Sequence, residues 1–229
     1  TLHPGAEAAF WDVQELRGPQ GLRPIFERLI GFFASRSGPA DQIVSVYRHD
    51  GFDDWEARLM GLYVRSELQP YFRAVRPLIA RQESRFMRPV PWPELTPHWG
   101  HGRDWLPAHG PLLRRAVCGS LVEETRLTFG AGGVAACGQA LREHGLLSDA
   151  VFLEGLLGCF HTVAGPLNQV MLIREFESCA AREAHRESLC TRTAWPHFLR
   201  SLAPFSATSE VRLLQPSLVT DMSPMYVSS

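Results

Sequence analysis

The chain has 229 residues, 45% hydrophobic and 21% charged, with a net charge of −1. These values describe an ordinary globular protein and exclude the basic footprint of a nucleic-acid binder. All 23 of its Lys-plus-Arg residues are arginine, so chemistry that needs a lysine amine, as Schiff base or general base, is excluded as well.

In chain order, the first helical pattern spans Ala6 to Leu16, with Ala9, Phe10, Val13 and Leu16 at helical spacing and Gly18 as its stop. Two strands follow, Leu29 to Ser35 and Gln42 to Arg48, joined by Ser37-Gly38-Pro39-Ala40 as a hairpin turn. A second helical region starts after Asp53-Asp54, breaks near Pro70 and resumes with Phe72, Val75 and Leu78. A strand from Ser84 to Arg88 ends at Pro89. Residues 90–115 differ from both flanks and hold Trp92, Trp99, Trp105, His98, His101 and His109. The order then recurs: a strand from Val122 to Phe129, a helix from Gly132 to Glu143, a hairpin of Leu156 to Thr162 and Gln169 to Glu175, a helical region after Ser178 broken near Pro196, and a strand from Val211 to Gln215.

The recurrence has a fixed offset of 127 residues. Gly38-Pro39 and Gln42 match Gly165-Pro166 and Gln169, Glu56-Ala57 match Glu183-Ala184, and Pro77, Glu83 and Pro89 match Pro204, Glu210 and Pro216. This is a duplicated unit, with residues 1–89 as the first repeat, 90–115 as connector and 116–229 as the second repeat. Most of the first repeat's opening strand would precede Thr1. The order strand, helix, hairpin, helix, strand is the split βαβ, ferredoxin-like unit. Val170-Met171-Leu172-Ile173 is apolar at every position, which calls for cover on both sheet faces. The predicted fold is therefore α+β: tandem ferredoxin-like repeats forming a dimeric α/β barrel within one chain.

The five cysteines, 118, 137, 159, 179 and 190, are odd in number and form no C-x-x-C. They read as reduced thiols with no disulfide. No apolar run is long enough to span a bilayer. No phosphate loop, serine elbow or cofactor motif is present, so neither a cofactor nor a metal site is expected.

Candidate binding residues gather at strand ends. Tyr47, Arg48 and His49, with Trp55 and Arg58 just after them, suit an anion-binding mouth. Arg174 and Glu175 hold the corresponding end in the second repeat, and the equivalence of Arg48 and Glu175 predicts a shared electrostatic environment within the barrel. His161, on the face opposite to Phe160, is a candidate general base inside the barrel. His98, His101 and His109 carry imidazoles but lack a nearby cysteine, which argues against a structural metal site. His185 is the histidine whose helical setting would suit a haem, without an attachment motif. Arg73, Arg76, Arg81, Arg85 and Arg88 form a basic run with no counterpart run in the second repeat; it would suit an acidic segment or anionic lipid headgroups.

Glu124-x-Arg126, the run from Gly158-x-Phe160-His161-Thr162 to Gly165-x-Leu167-Asn168-Gln169-Val170, and Arg88-Pro89-Val90-Pro91-Trp92 resemble the NIPSNAP family, most closely its animal homolog 3 branch. The resemblance covers nearly the whole chain. It implies the dimeric α/β-barrel superfamily and a mitochondrial (matrix or peripheral) or cytosolic protein that works through protein partners, in vesicle traffic or in marking mitochondria for autophagy. It implies no catalytic residues. The alternative is a small-molecule binder or enzyme of the same superfamily, with its ligand in the barrel or under the helices.

Overall fold

The computed structural model describes residues 1–18, 21–97 and 121–222. The chain forms two compact units. One holds Thr1–Glu83 with residues 214–222; the other holds residues 84–97 and 121–213.

In the first unit, α1 (Glu7–Asp12) runs into a 3₁₀ turn, Val13–Arg17, and the short helix α2 (Arg23–Phe26) precedes the hairpin β1 (Leu29–Ser35) and β2 (Ile43–Tyr47). α3 (Phe52–Tyr63) and α4 (Gln69–Val75) complete the repeat's helices. Pro70 does not kink a helix. It lies in the first turn of α4, where its missing N–H costs nothing. Phe10, Phe32, Leu62, Leu68, Tyr71, Phe72 and Val75 pack as one core on one side of the hairpin.

In the second unit, β3 (Phe86–Pro89) joins β4 (Leu121–Thr128), α5 (Gly133–Glu143), α6 (Ala150–Leu153), β5 (Leu156–Ala164), β6 (Gln169–Phe176), α7 (Cys179–Arg192), α8 (Trp195–Ser201) and β7 (Thr208–Pro216). Strand order is β7-β4-β6-β5-β3. β4 pairs antiparallel with β6 over eight residues, from Leu121 opposite Phe176 to Thr128 opposite Gln169. Leu127, Val170, Leu172 and Cys159 meet Leu141, Phe152, Leu189, Trp195 and Phe198 on the helix-bearing face. Met171 is buried too, on the opposite face, so both faces of β6 are covered.

Each unit takes a strand from the other repeat. β3, the last strand of the first repeat, pairs with β5: Met87 opposite Thr162, Arg88 opposite His161, Pro89 opposite Phe160. The last residues of β7 pair with β1, Phe33 opposite Pro216 and Ser35 opposite Leu214. The compact units therefore divide at Glu83/Ser84 and Leu213/Leu214, whereas the sequence repeat ends at Pro89.

The 127-residue offset reaches into local structure. α2 and α6 occupy equivalent positions, and the 3₁₀ turns Arg76–Leu78 and Ala203–Phe205 also correspond. The Arg48 N–H donates to Arg28 O at 2.8 Å and the Glu175 N–H to Gly155 O at 2.9 Å, the same contact in each copy. Gly155 is required there: its φ is +65°, and a Cβ would come within 2.6 Å of Glu175 O.

Candidate binding site at the strand end of the first unit

β2 delivers Tyr47, Arg48 and His49 to the start of α3, where Asp54 in the first turn gathers His49, Arg28 and Arg58. Its carboxylate accepts from Arg58 Nε at 2.6 Å and from the Asp50 N–H at 3.2 Å. Arg28 Nε lies 3.5 Å away and His49 Nδ1 3.4 Å away. Burial works against ionisation of Asp54, but the Arg58 and Asp50 hydrogen bonds and the Arg28 charge outweigh it and hold the carboxyl below its ordinary value. Burial lowers the pKa of His49 despite Asp54, so its ring is neutral at pH 7. Burial pushes the Tyr47 phenol up. Arg28 also pairs with Asp50 at 2.5 Å.

Arg48 Nε and Nη1 are buried with no hydrogen-bond partner among the described residues, as are Arg28 Nε and His49 Nδ1. Burial, then the charge of Arg28, lowers the pKa of Arg48, and Asp50 opposes the shift. The charges acting on Arg48, from Arg28 and Asp50, belong to its own unit. Among the described strands β2 has one neighbour, β1, whereas β6 lies between β4 and β5, so equivalent strand ends meet unlike surroundings.

Beside this cluster lies an open cleft of about 280 Å³, lined by Arg23, Pro24, Glu27, Arg58 and Arg65. Arg58 closes one side by donating from Nη1 to Pro24 O. The offset places His185 and Val151 at the matching positions, and His185 Nε2 bonds Val151 O at 2.9 Å. One position on the long helix thus holds the short helix in both repeats. His185 is buried, its ring 5.2 Å from that of Phe176, and it serves this tie rather than standing free as an axial ligand.

In the second unit Arg174 is 2% exposed. Its Nη2 donates to Phe152 O at 2.6 Å, and its guanidinium lies 5.0 Å from the Phe152 ring centre. Burial, opposed by Glu123, brings its pKa down to about 10. Arg174 is a packing element under α6. Glu175 is half-buried. His161 lies opposite Val170 and two residues from Cys159, both in the helix-packed core; alternation puts it on that face, not in the interior expected from sequence. Burial, then Arg88, lowers its pKa.

Glu124 and Arg126, a family signature in the sequence, carry more than that in the structure. The two side chains share a strand face and form an ion pair, with Glu124 4% exposed. Arg212 Nη2 donates to Glu124 at 2.6 Å, and Arg126 reaches Glu210 at 3.4 Å. The available signal was opposite charges two residues apart on a strand, Glu124 and Arg126, which alternation puts on one face. On the same face run Thr128, Gln169 and Thr162, where Gln169 Nε2 donates to Thr128 Oγ1 at 3.0 Å.

The basic run is divided. Arg73, Arg76 and Arg81 belong to the first unit, with Arg81 paired to Glu83 at 2.6 Å, and Arg85 and Arg88 belong to the second. Among the described residues no group of three or more His, Cys, Asp or Glu is placed to hold a metal, and no helix is long and apolar enough to cross a membrane. His98, His101 and His109 lie outside the described residues.

Comparison with known proteins places this architecture. The NIPSNAP family profile matches residues 1–94 and 122–218. A NIPSNAP family protein from Agrobacterium tumefaciens is 26% identical, with a TM-score of 0.42, covering 50% of this chain and 100% of its own. A NIPSNAP-like domain protein from Burkholderia xenovorans is 23% identical, with a TM-score of 0.41, covering 49% and 97%. A conjectured monooxygenase from Fusobacterium nucleatum matches 100% of this chain and 90% of its own at 9% identity and a TM-score of 0.55, a likeness of fold alone. No curated protein matches.

Proposed function

The chain belongs to the NIPSNAP family, with two copies of its domain, and from that premise we propose that it is a non-enzymatic binding protein, an adaptor of the homolog 3 kind, working at mitochondria or in vesicle traffic. The observation that carries this is the state of the strand-end cluster. Asp54 accepts hydrogen bonds from Arg58 and the Asp50 N–H and faces Arg28 at 3.5 Å, so its carboxyl is held ionised and carries no proton to donate at pH 7. Beside it lies an open cleft in which Glu27 pairs with Arg23 and Arg58, and Arg65, with no ion pair among the described residues, is the group left to meet a carboxylate.

A second reading, a small-molecule carrier or enzyme, is favoured by the polar row on β4, β5 and β6. Gln169 Oε1 and Thr162 Oγ1 are buried there without a hydrogen-bond partner among the described residues, and proteins of this fold include conjectured monooxygenases.

One experiment separates the two readings. The purified chain is examined by native mass spectrometry, then incubated with a cell metabolite extract and followed by liquid chromatography–mass spectrometry. The adaptor reading expects no stoichiometric small molecule and no protein-dependent loss of any metabolite. Turnover that Glu124→Gln abolishes would overturn it.

A further inference from the structure

The strap that follows β7, residues 217–222, is seated in the core of the first unit, and the repeat supplies a counterpart in residues 90–95. The Ser217 N–H donates to Phe32 O at 2.8 Å, as the Val90 N–H, at the equivalent position, donates to Cys159 O at 3.0 Å. At its end each strap buries one apolar side chain completely, Met222 in the core of the first unit and Leu95 in that of the second. The residue before each is an acid, Asp221 and Glu94. Two equivalent grooves are thus filled by the same pair, a carboxylate followed by a large apolar side chain.

The fastenings differ. The earlier strap is fixed along its length. Trp92 fills the notch at Gly138, the Arg142 guanidinium lies 5.5 Å from that ring, Pro93–Leu95 forms a 3₁₀ turn, and Thr96 Oγ1 donates to Trp92 O at 3.2 Å. Glu94 is exposed. The later strap has no proline and no aromatic ring from Ser217 to Met222, and Leu218 is 77% exposed. Its internal bonds run from the Val219 N–H to Ser217 Oγ at 3.1 Å and from the Met222 N–H to Val219 O at 3.0 Å. Beside Met222 and the half-buried Val219, what clasps it is Asp221, whose carboxylate accepts from both Nη1 and Nη2 of Arg17. The Arg17 side chain is 5% exposed and that of Asp221 46%, and the Arg17 guanidinium lies 4.9 Å from the Phe26 ring centre. The clasp is an accessible acid on a buried cation.

Resting on the adaptor reading, we propose that residues 217–222 are an autoinhibitory strap. They occupy in cis a groove whose occupant in trans is an extended segment of a partner protein, with an acid followed by a large apolar residue. Release of the strap leaves Arg17 a buried cation without its carboxylate, a costly state that a second carboxylate relieves. It also leaves the Met222 site for the partner's apolar side chain. Strap and partner exclude each other, so the partner's apparent affinity scales with the fraction of molecules whose strap is out.

The test uses the full chain and a fluorescent peptide with the strap's own sequence, Ser-Leu-Val-Thr-Asp-Met, beside versions with Asn for Asp and Ser for Met. By anisotropy the parent peptide should bind wild type weakly. It should bind at least tenfold more tightly to Asp221→Asn, whose strap has lost its clasp while Arg17 remains. Arg17→Gln should abolish binding, and the two altered peptides should bind neither wild type nor Asp221→Asn. Circular dichroism melts identify folded variants, and Arg17→Lys, which keeps the charge but not the two-pronged bond, is the milder change. Equal or weaker binding of the parent peptide to folded Asp221→Asn would overturn the proposal. Wild type supplies a second measurement. Hydrogen exchange at the Val219 and Met222 amides should be at least tenfold faster than at the β1 amide of Phe33, because the strap opens without the unit. Equal protection would overturn the strap's release. Fast exchange with no peptide bound to any folded form would overturn the partner site while leaving the adaptor reading intact. Metabolite turnover would instead overturn the adaptor reading itself.

Discussion

Arg174 shows how a charge is tolerated inside a strand. Its guanidinium has a carbonyl to bond and a ring to cover it, so removal strands Phe152 O and opens space. Arg174→Ala should lose about 2–4 kcal/mol by urea denaturation, and Arg174→Met, which keeps the volume, about 1–3. The cysteines divide on the same grounds. Burial raises the Cys137 thiol to about 12 and the Cys159 thiol further, so neither supplies a thiolate. Cys179 and Cys190 are exposed. Brief iodoacetamide treatment of the native protein should label these two and spare Cys137 and Cys159; equal labelling of all four would contradict the packing. Arg174 was named from sequence as a ligand-binding residue because it ends a strand. Its true partner lies 22 residues back in a helix of four residues, and no periodicity announces such a pairing.

At the scale of elements, the hairpins and long helices were legible because turn residues and apolar spacing agree in both copies. Leu29–Ser35 was drawn with the bounds that the strand has. α2 and α6 were missed because four residues are too few to display a helical period, although Asp149 caps α6 by accepting from the Val151 and Phe152 N–H groups at 2.9 and 3.0 Å. The face of His161 was also misjudged. Alternation gives two faces, but only packing tells which one the helices cover. Gly138 illustrates a constraint between elements: a Cβ there would fall 2.1 Å from Trp92 Cη2. Gly138→Val should cost about 1–3 kcal/mol through overpacking of α5 against that ring. If the clash is the cause, the effects of Gly138→Val and Trp92→Ala should be non-additive in a double-mutant cycle.

For the molecule as a whole, acid sensitivity should begin in the first unit. Asp54 and Asp221 both have folded pKa values below their unfolded ones: Asp54 through Arg58 and its neighbours against burial, Asp221 through its two hydrogen bonds from Arg17, also against burial. A depressed carboxyl contributes stability that is complete above its unfolded value and is lost as pH falls through the folded one. Stability should therefore decline below about pH 4. Asp54→Asn should flatten that decline while lowering stability at pH 7, as read by thermal melts across pH 2–7. An unchanged acid limb in Asp54→Asn/Asp221→Asn would refute the assignment.

The exchange of strands sets a timetable for synthesis. β1 cannot gain its β7 neighbour until Pro216 has been made, some 180 residues after Phe33. At ribosomal rates of roughly 5–20 residues per second, that edge waits on the order of ten seconds or longer. An unpaired strand edge is a template for wrong pairing, so the nascent first unit is open to misassociation during that interval, and co-expression with holding chaperones should raise the folded yield.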